Sequence, residues 1–234
     1  MTTRSRLAVI GDGRMGLAIA SLAEEAGFDV VALLGEHQVL PHGITAELLD
    51  GAEVAVEFTT AQSAAANVRG CMAVGCPVVC GTTGWDAERA TVEAEVRASR
   101  GAFLWAPNFS VGVHLFSSMV AHAAALVAGA HAGFEVHLVE THHSRKLDAP
   151  SGTARALARA AEKAGGTPVP ITSVRVGSVP GTHEVIFDGA FEQIRLQHTA
   201  RDRRVFATGA LAAARWLIGK QGVFTFDHML GTSE

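Results

Sequence analysis

Three glycines, Gly11, Gly13 and Gly16, stand between a short apolar run, Leu7–Ile10, and a segment in which Leu17, Ile19, Ala20, Leu22 and Ala23 recur at helical spacing. This feature narrows the possible folds more than any other. Glycine at the first place allows a tight turn out of a strand. At the second it lets backbone approach a pyrophosphate, and at the third it lets helix and strand pack closely. The helix that follows offers unpaired N–H groups and the positive end of its dipole to phosphate. The turn, with Asp12, Arg14 and Met15 between its glycines, predicts a dinucleotide site. The plainer reading of Arg14 is a solvated helix charge; the functional one is a partner for phosphate.

The first half continues as strand and helix in alternation. Val30–Leu34, Ala52–Phe58, Pro77–Cys80 and Ala102–Trp105 read as strands. Ala61–Val74 and Asp86–Ser99 read as helices, and turns carrying Thr59, Gly81, Thr82 and Thr83 follow the strands. Such alternation implies an α/β domain with a parallel sheet, its ligands beyond the carboxyl ends of the strands. The second half differs. A helix from Val111 leads to a strand, Phe134–Glu140. A loop then holds His142–Ser151, a helix runs from Thr153 to about Lys163, and three strand-like stretches follow, at 173–176, 182–188 and 191–198. Strands gathered after helices suggest an α+β domain with a mixed or antiparallel sheet. A last helix, Ala207–Gly219, is assigned back to the first domain.

With 19 basic and 23 acidic residues, a formal charge of −4, the chain lacks the basic balance of a general nucleic-acid binder. Three cysteines, Cys71, Cys76 and Cys80, form no C-x-x-C pair. They read as reduced, buried thiols of a cytoplasmic protein. No signal-peptide pattern precedes the first strand. Residues 101–134 contain no Asp, Glu, Lys or Arg, but alanines, serines and histidines interrupt the run. It reads as a buried helix and not a membrane span.

The group that reads the adenosine ribose is expected about 20 residues beyond the glycine turn, which lands on Glu36. No Arg or Lys lies between Arg14 and Arg69, so a 2′-phosphate would find no cation there. This leans towards NADH over NADPH. The alternative is that Glu36 is a solvated loop charge.

The stretch Glu140-Thr-His-His-Ser-Arg-Lys-Leu-Asp-Ala-Pro-Ser-Gly-Thr153 concentrates cations just past a strand. Adjacent histidines on extended backbone point opposite ways, and no H-E-x-x-H occurs, so no metal site is assigned. The tail of the stretch looks like a capped helix start. There Ser151, Gly152 and Thr153 would hold a carboxylate through amide and hydroxyl donors. With His143 and Lys146 in the same site, the pocket suits a small substrate with two carboxylates. His142 and Lys146 are the candidates for proton donation after hydride arrival.

This stretch resembles the signature of the bacterial dihydrodipicolinate reductase family. Gly11–Gly16, Glu57-Phe-Thr59, Gly81-Thr-Thr-Gly84, Ala106-Pro-Asn-Phe-Ser-Val-Gly-Val113, Val179-Pro-Gly-Thr-His183 and Phe206-Ala-Thr-Gly-Ala210 agree with it. The resemblance implies reduction of the dehydrated form of 4-hydroxy-tetrahydrodipicolinate with NADH or NADPH, in lysine and diaminopimelate biosynthesis. It puts the proton donor on His142, its partner on Lys146, and substrate contacts on His143, Gly152 and Thr153. Cofactor contacts fall on the glycine turn, Phe58, Thr59, Gly81, Thr82, Thr83 and the hinge segment Ala106, Pro107, Asn108 and Phe109, with water expelled by closure about Asn108 and a crossover near Arg203. It further implies a Rossmann-like nucleotide domain, residues 1–109 plus 207–234, around an inserted α+β substrate domain, residues 110–206, that forms a homotetramer.

Two departures stand out. Many relatives have one more residue in the glycine turn. The family often places an acidic residue, sometimes followed by Arg, where this chain has Leu34-Gly35. Two other readings compete with this one. The first is a different two-domain nicotinamide dehydrogenase, which would lack the His-His and Pro-Ser-Gly-Thr constellation. The second is a regulator that senses NAD(H), which would need no proton donor.

Overall fold

A computed structural model describes residues 4–40, 42–131 and 133–231. The chain begins with β1 (Ser5–Ile10), α1 (Arg14–Leu22), β2 (Phe28–Leu34), α2 (Glu36–Val39), α3 (Ala46–Leu49), β3 (Val54–Glu57), α4 (Ala61–Ala73), β4 (Val78–Cys80), α5 (Asp86–Ser99) and β5 (Ala102–Trp105). Then come α6 (Val111–Ala130), β6 (Glu135–His142), α7 (Gly152–Gly165), β7 (Ile171–Arg175), β8 (Thr182–Asp188) and β9 (Gln193–Thr199). It closes with α8 (Arg204–Leu217), β10 (Gly222–Phe224) and α9 (Phe226–Leu230). Two compact units result: residues 1–109 with 204–234, and residues 110–203.

The first unit is a six-stranded sheet in the order β10-β5-β4-β3-β1-β2, with every neighbouring pair parallel. Its inner strands are continuous apolar runs: Leu7–Ile10, Val54–Val56, Val78–Cys80 and Phe103–Leu104 are all fully buried. Strands covered on both faces require this pattern. From β1 the chain goes outward to β2, then returns to the other side of β1 for β3, so order reverses between β1 and β3. At such a switch point the carboxyl ends of two strands diverge and leave a crevice. The returning helix α8 packs on α1, β3, β4 and β5, and β10 adds an edge strand beside β5.

The second unit is a four-stranded sheet, β7-β6-β8-β9, with β6 and β7 parallel and the other pairs antiparallel. Helices α6 and α7 bring Phe116, Val120, Leu157 and Ala161 against Leu138, Val185 and Phe187 of the sheet. Two details differ from the sequence reading. Strand β6 runs on to His142, where the sequence suggests a loop, because Thr141 pairs with Val174 and Thr182 and His142 with Arg175. Helix α6 is not enclosed. Only Phe116, Val120 and Ala124 of it are buried, while Leu115, Met119 and Leu126 are exposed. One stripe faces the core, and the absence of charge elsewhere on the helix does not come from burial within the chain.

Candidate active site

The carboxyl ends of β1, β3, β4 and β5 bring together most residues expected at a nucleotide. Gly11 has φ +110°, and a Cβ there would lie 2.1 Å from the carbonyl oxygen of Phe58. A Cβ on Gly16 would lie 1.7 Å from the carbonyl oxygen of Gly11. Both positions therefore exclude any side chain. Gly13 is different: a Cβ there meets nothing within 4 Å, and Gly13 is the N-cap of α1 with no side-chain capping bond. The first amides of α1 thus face open space, as a pyrophosphate cradle requires. Arg14 opens the helix and is exposed; Met15 is half-buried behind it.

Beside this turn, Thr82 Oγ1 accepts from the amide of Thr59 at 2.8 Å. The carbonyl of Thr82 accepts from the indoles of Trp85 and Trp105 at 2.9 and 3.0 Å. These bonds fix the loops after β3 and β4 to each other and leave Thr83 exposed. Gly81 lies under the Phe58 ring, and a Cβ on it would stand 2.1 Å from Cε1 of that ring. After β5, Ala106 and Phe109 are buried, Pro107 is exposed and Asn108 half-buried. Phe109 packs between Phe58 and Phe226, with ring centroids at 5.7 and 5.3 Å. It serves the core of its unit. Glu36 is the first residue of α2 and is exposed.

In the second unit, strand register lines up polar side chains across the sheet. Ser173, Glu140, His183 and His198 are successive partners on β7, β6, β8 and β9. They continue the face that carries Leu138 and Val185. Glu140 is fully buried among polar partners. Arg175 Nη2 donates to Oε1 at 2.6 Å, the amide of Ser151 donates to the same oxygen at 3.2 Å, and Nδ1 of His142 lies 2.5 Å from Oε2. The contact is a close approach of ring and carboxylate, and neither atom makes an aligned hydrogen bond. Burial opposes ionisation of Glu140. The bonds from Arg175, Ser173 and Ser151 and the charge of His142 outweigh it and bring its carboxyl down to about 2. Burial also lowers His142; Glu140 pulls it back up, while Lys146 and Arg175 push it down. Burial, with His142 next, lowers His183 to about 4. The rings of His142 and His183 meet edge to face at 5.2 Å.

Glu140, His142 and His183 also bring ligand atoms within 4.8 Å of one another, a spacing a metal ion could bridge. The positive charge beside Glu140 in this structure is the guanidinium of Arg175.

Helix α7 starts where the sequence predicts. Ser151 is its N-cap: Oγ accepts from the amide of Ala154 at 3.1 Å and lies 3.3 Å from Nε2 of His183. Ser151 is buried, so its hydroxyl belongs to the cap and to His183. Gly152 is exposed, and a Cβ on it would meet nothing within 4 Å; Thr153 is half-buried. Lys146 Nζ donates to Asp148 Oδ1 at 2.8 Å, and that bond lowers the Asp148 carboxyl. His143 is half-buried on the turn between His142 and Lys146. Sequence reasoning assigns no role to Glu140, Arg175 or His183. For Glu140 the signal is the period-two alternation of β6, Leu138-x-Glu140-x-His142, which places a carboxylate and a histidine on the core face; Arg175 and His183 have no such local signal.

Comparison with known proteins identifies the family. The description "Dihydrodipicolinate reductase, N-terminus" matches residues 5–109, and "Dihydrodipicolinate reductase, C-terminus" matches residues 112–230. A 4-hydroxy-tetrahydrodipicolinate reductase of Christiangramia forsetii is 33% identical, over 96% of this chain and 97% of its own. One of Xanthomonas euvesicatoria pv. vesicatoria is 40% identical, over 94% and 95%. Among solved structures, the fold matches a dipicolinate-bound dihydrodipicolinate reductase from Paenisporosarcina sp. TG-14. Its TM-score is 0.76 at 22% identity, covering 96% of this chain and 99% of that one. With both halves matched and full-length relatives above 30% identity, the chain belongs to the dihydrodipicolinate reductase family.

Proposed function

We infer that this chain reduces the dehydrated form of 4-hydroxy-tetrahydrodipicolinate to tetrahydrodipicolinate, the step of lysine and diaminopimelate biosynthesis named for its relatives. In balance, the hydroxylated ring, NAD(P)H and one proton give the reduced ring, NAD(P)+ and water. The observation that carries the reading is the Ser151-capped start of α7, with Gly152 exposed, beside the Glu140–His142 pair. This places a helix N-terminus and an ionisable imidazole within one short stretch of chain.

The nicotinamide, when bound, supplies the hydride. The chain's own residues do the rest. The bare amides of α1, with Gly13 leaving the space clear, hold the pyrophosphate, and Arg14 adds a cation at the same helix start. Phe58, Thr59, Gly81, Thr82 and Thr83 and the segment Ala106–Asn108 shape the nicotinamide side, with Phe109 packed behind them in the core. Gly152 and Thr153 at the start of α7 contact one substrate carboxylate, with His143 beside it and the Lys146 ammonium supplying positive charge. Ser151 positions the helix start instead of binding. His142 delivers a proton once its ring is doubly protonated, a form that the Glu140 carboxylate beside it favours. Lys146 stabilises negative charge developing on the ring, and Asp148 orients its ammonium.

Residues 1–109 with 204–234 serve as the nucleotide domain and 110–203 as the substrate and tetramerisation domain. Exposed apolar side chains of the latter, Leu115, Met119, Leu126 and Ile194, support assembly into a homotetramer. Three free, buried thiols suit a cytoplasmic setting.

The test is nicotinamide oxidation, followed by absorbance, with and without freshly prepared substrate. His142→Gln should lower kcat by about 10²–10⁴-fold. Lys146→Ala should lower kcat and raise KM together. Wild-type turnover and KM in the Lys146 variant would refute its role. Cofactor binding with no turnover on this substrate would refute the activity.

A further inference from the structure

We propose that the carboxylate of Asp12 reads the adenosine ribose and makes this chain discriminate NADH from NADPH. The proposal deepens the cofactor reading above and rests on it.

Nucleotide-binding α/β domains place an acidic side chain at the end of the second strand, where it accepts from the ribose 2′-OH and repels a 2′-phosphate. Here β2 ends at Leu34, and the next residue, Gly35, is buried and has no side chain. The space a side chain would enter at Gly35 is filled from elsewhere. A Cβ there would lie 2.4 Å from Oδ2 of Asp12 and 2.8 Å from its Cγ. Two bonds hold the arrangement. The amide of Gly11 donates to the carbonyl of Leu34 at 2.7 Å, which ties the glycine turn to the end of β2. The amide of Gly35 donates to Oε1 of Gln38 at 2.9 Å. The second residue of the glycine turn is the aspartate. A carboxylate missing from the end of β2 is thus replaced by one reaching across from the turn after β1.

The surrounding charge points the same way. No Arg or Lys occurs from residue 15 to residue 68, so α2, α3, β2 and β3 offer a 2′-phosphate no permanent cation. Glu36 adds a second negative charge, but it sits one residue further on, exposed at the start of α2. Arg14, on the first residue of α1, is the nearest cation in sequence and belongs with the pyrophosphate.

The experiment is equilibrium titration of the purified chain with NADH and with NADPH, read by nicotinamide fluorescence. Wild type should bind NADH more tightly. Asp12→Asn should tighten NADPH at least tenfold relative to NADH. Gly35→Ala, whose methyl would displace the Asp12 carboxylate, should shift the ratio in the same direction. Glu36→Gln should shift it less than threefold. Raising salt to about 0.5 M should narrow the wild-type ratio and leave that of Asp12→Asn little changed, because screening weakens only a charge-based preference. A ratio within twofold of wild type in both Asp12→Asn and Gly35→Ala overturns the proposal. So does a Glu36→Gln shift as large as that of Asp12→Asn, or a wild type that prefers NADPH. Wild-type protein that binds neither nucleotide refutes the cofactor reading itself, an outcome separate from a lost preference.

Discussion

Glu140 is a buried carboxylate kept ionised by its neighbours, and its removal should be felt twice. Glu140→Gln leaves the Arg175 guanidinium, largely buried, without its counter-charge. Breaking a buried ion pair from one side costs about 3–5 kcal/mol. Urea unfolding should report a loss of that order. The same variant takes from His142 the carboxylate that favours its protonated form, so the pH at which activity declines on the alkaline side should move down. A purely structural role would lower stability and leave the pH profile in place. His183 gives a second prediction. Its pKa is lowered from 6.5 to about 4 in the folded chain. The unfolded chain therefore binds more protons between those values, and stability present above pH 6.5 is lost as pH falls towards 4. The loss amounts to roughly 3 kcal/mol, at 1.36 kcal/mol for each pKa unit. Urea midpoints at pH 7 and pH 4.5 should differ clearly in wild type and less in His183→Asn. Glu140, also lowered, adds loss of the same sign only below pH 4.5.

At the scale of elements, two helical glycines should respond to alanine with opposite signs. Gly209 lies in α8 where that helix passes the end of the segment after β5. A Cβ there would stand 1.7 Å from the carbonyl oxygen of Phe109. Backbone cannot retreat as a flexible side chain can, so Gly209→Ala should cost about 1–3 kcal/mol by overpacking. Gly129, near the end of α6, has nothing within 4 Å of the place a methyl would take, and Gly129→Ala should gain up to about 1 kcal/mol from helix propensity. Thermal unfolding of the two variants checks both. Alternation in β6 also explains why its buried polar residues come as a pair: Glu140 and His142 are two apart, so one pleat turns both to the core face, while Thr141 faces away.

At the scale of the whole molecule, the six-stranded sheet places its switch point between β1 and β3, where the glycine turn meets Phe58. The charge-free helix α6 keeps an apolar side uncovered within the chain, and sedimentation equilibrium should find particles of four chains. A monomer at micromolar concentration would exclude the proposed tetramer. Much of the fold and site is legible in the sequence. The glycine spacing, the apolar strand runs and the Ser-Gly-Thr helix start are local, so propensity, periodicity and capping identify them without reference to distant residues. The long signature from Glu140 to Thr153 identifies the family for the same reason. Other features needed the tertiary structure. Arg175 and His183 join Glu140 from 35 and 43 residues away, through strand register that no local pattern specifies. Asp12 meets Gly35 because parallel pairing of β1 and β2 brings their ends together. Sequence by itself determined the longer strands and helices and the glycine and serine turns that open α1 and α7, since those follow from neighbouring residues. Only the tertiary structure decided which charges share a buried site, since that depends on contacts between residues far apart in the chain.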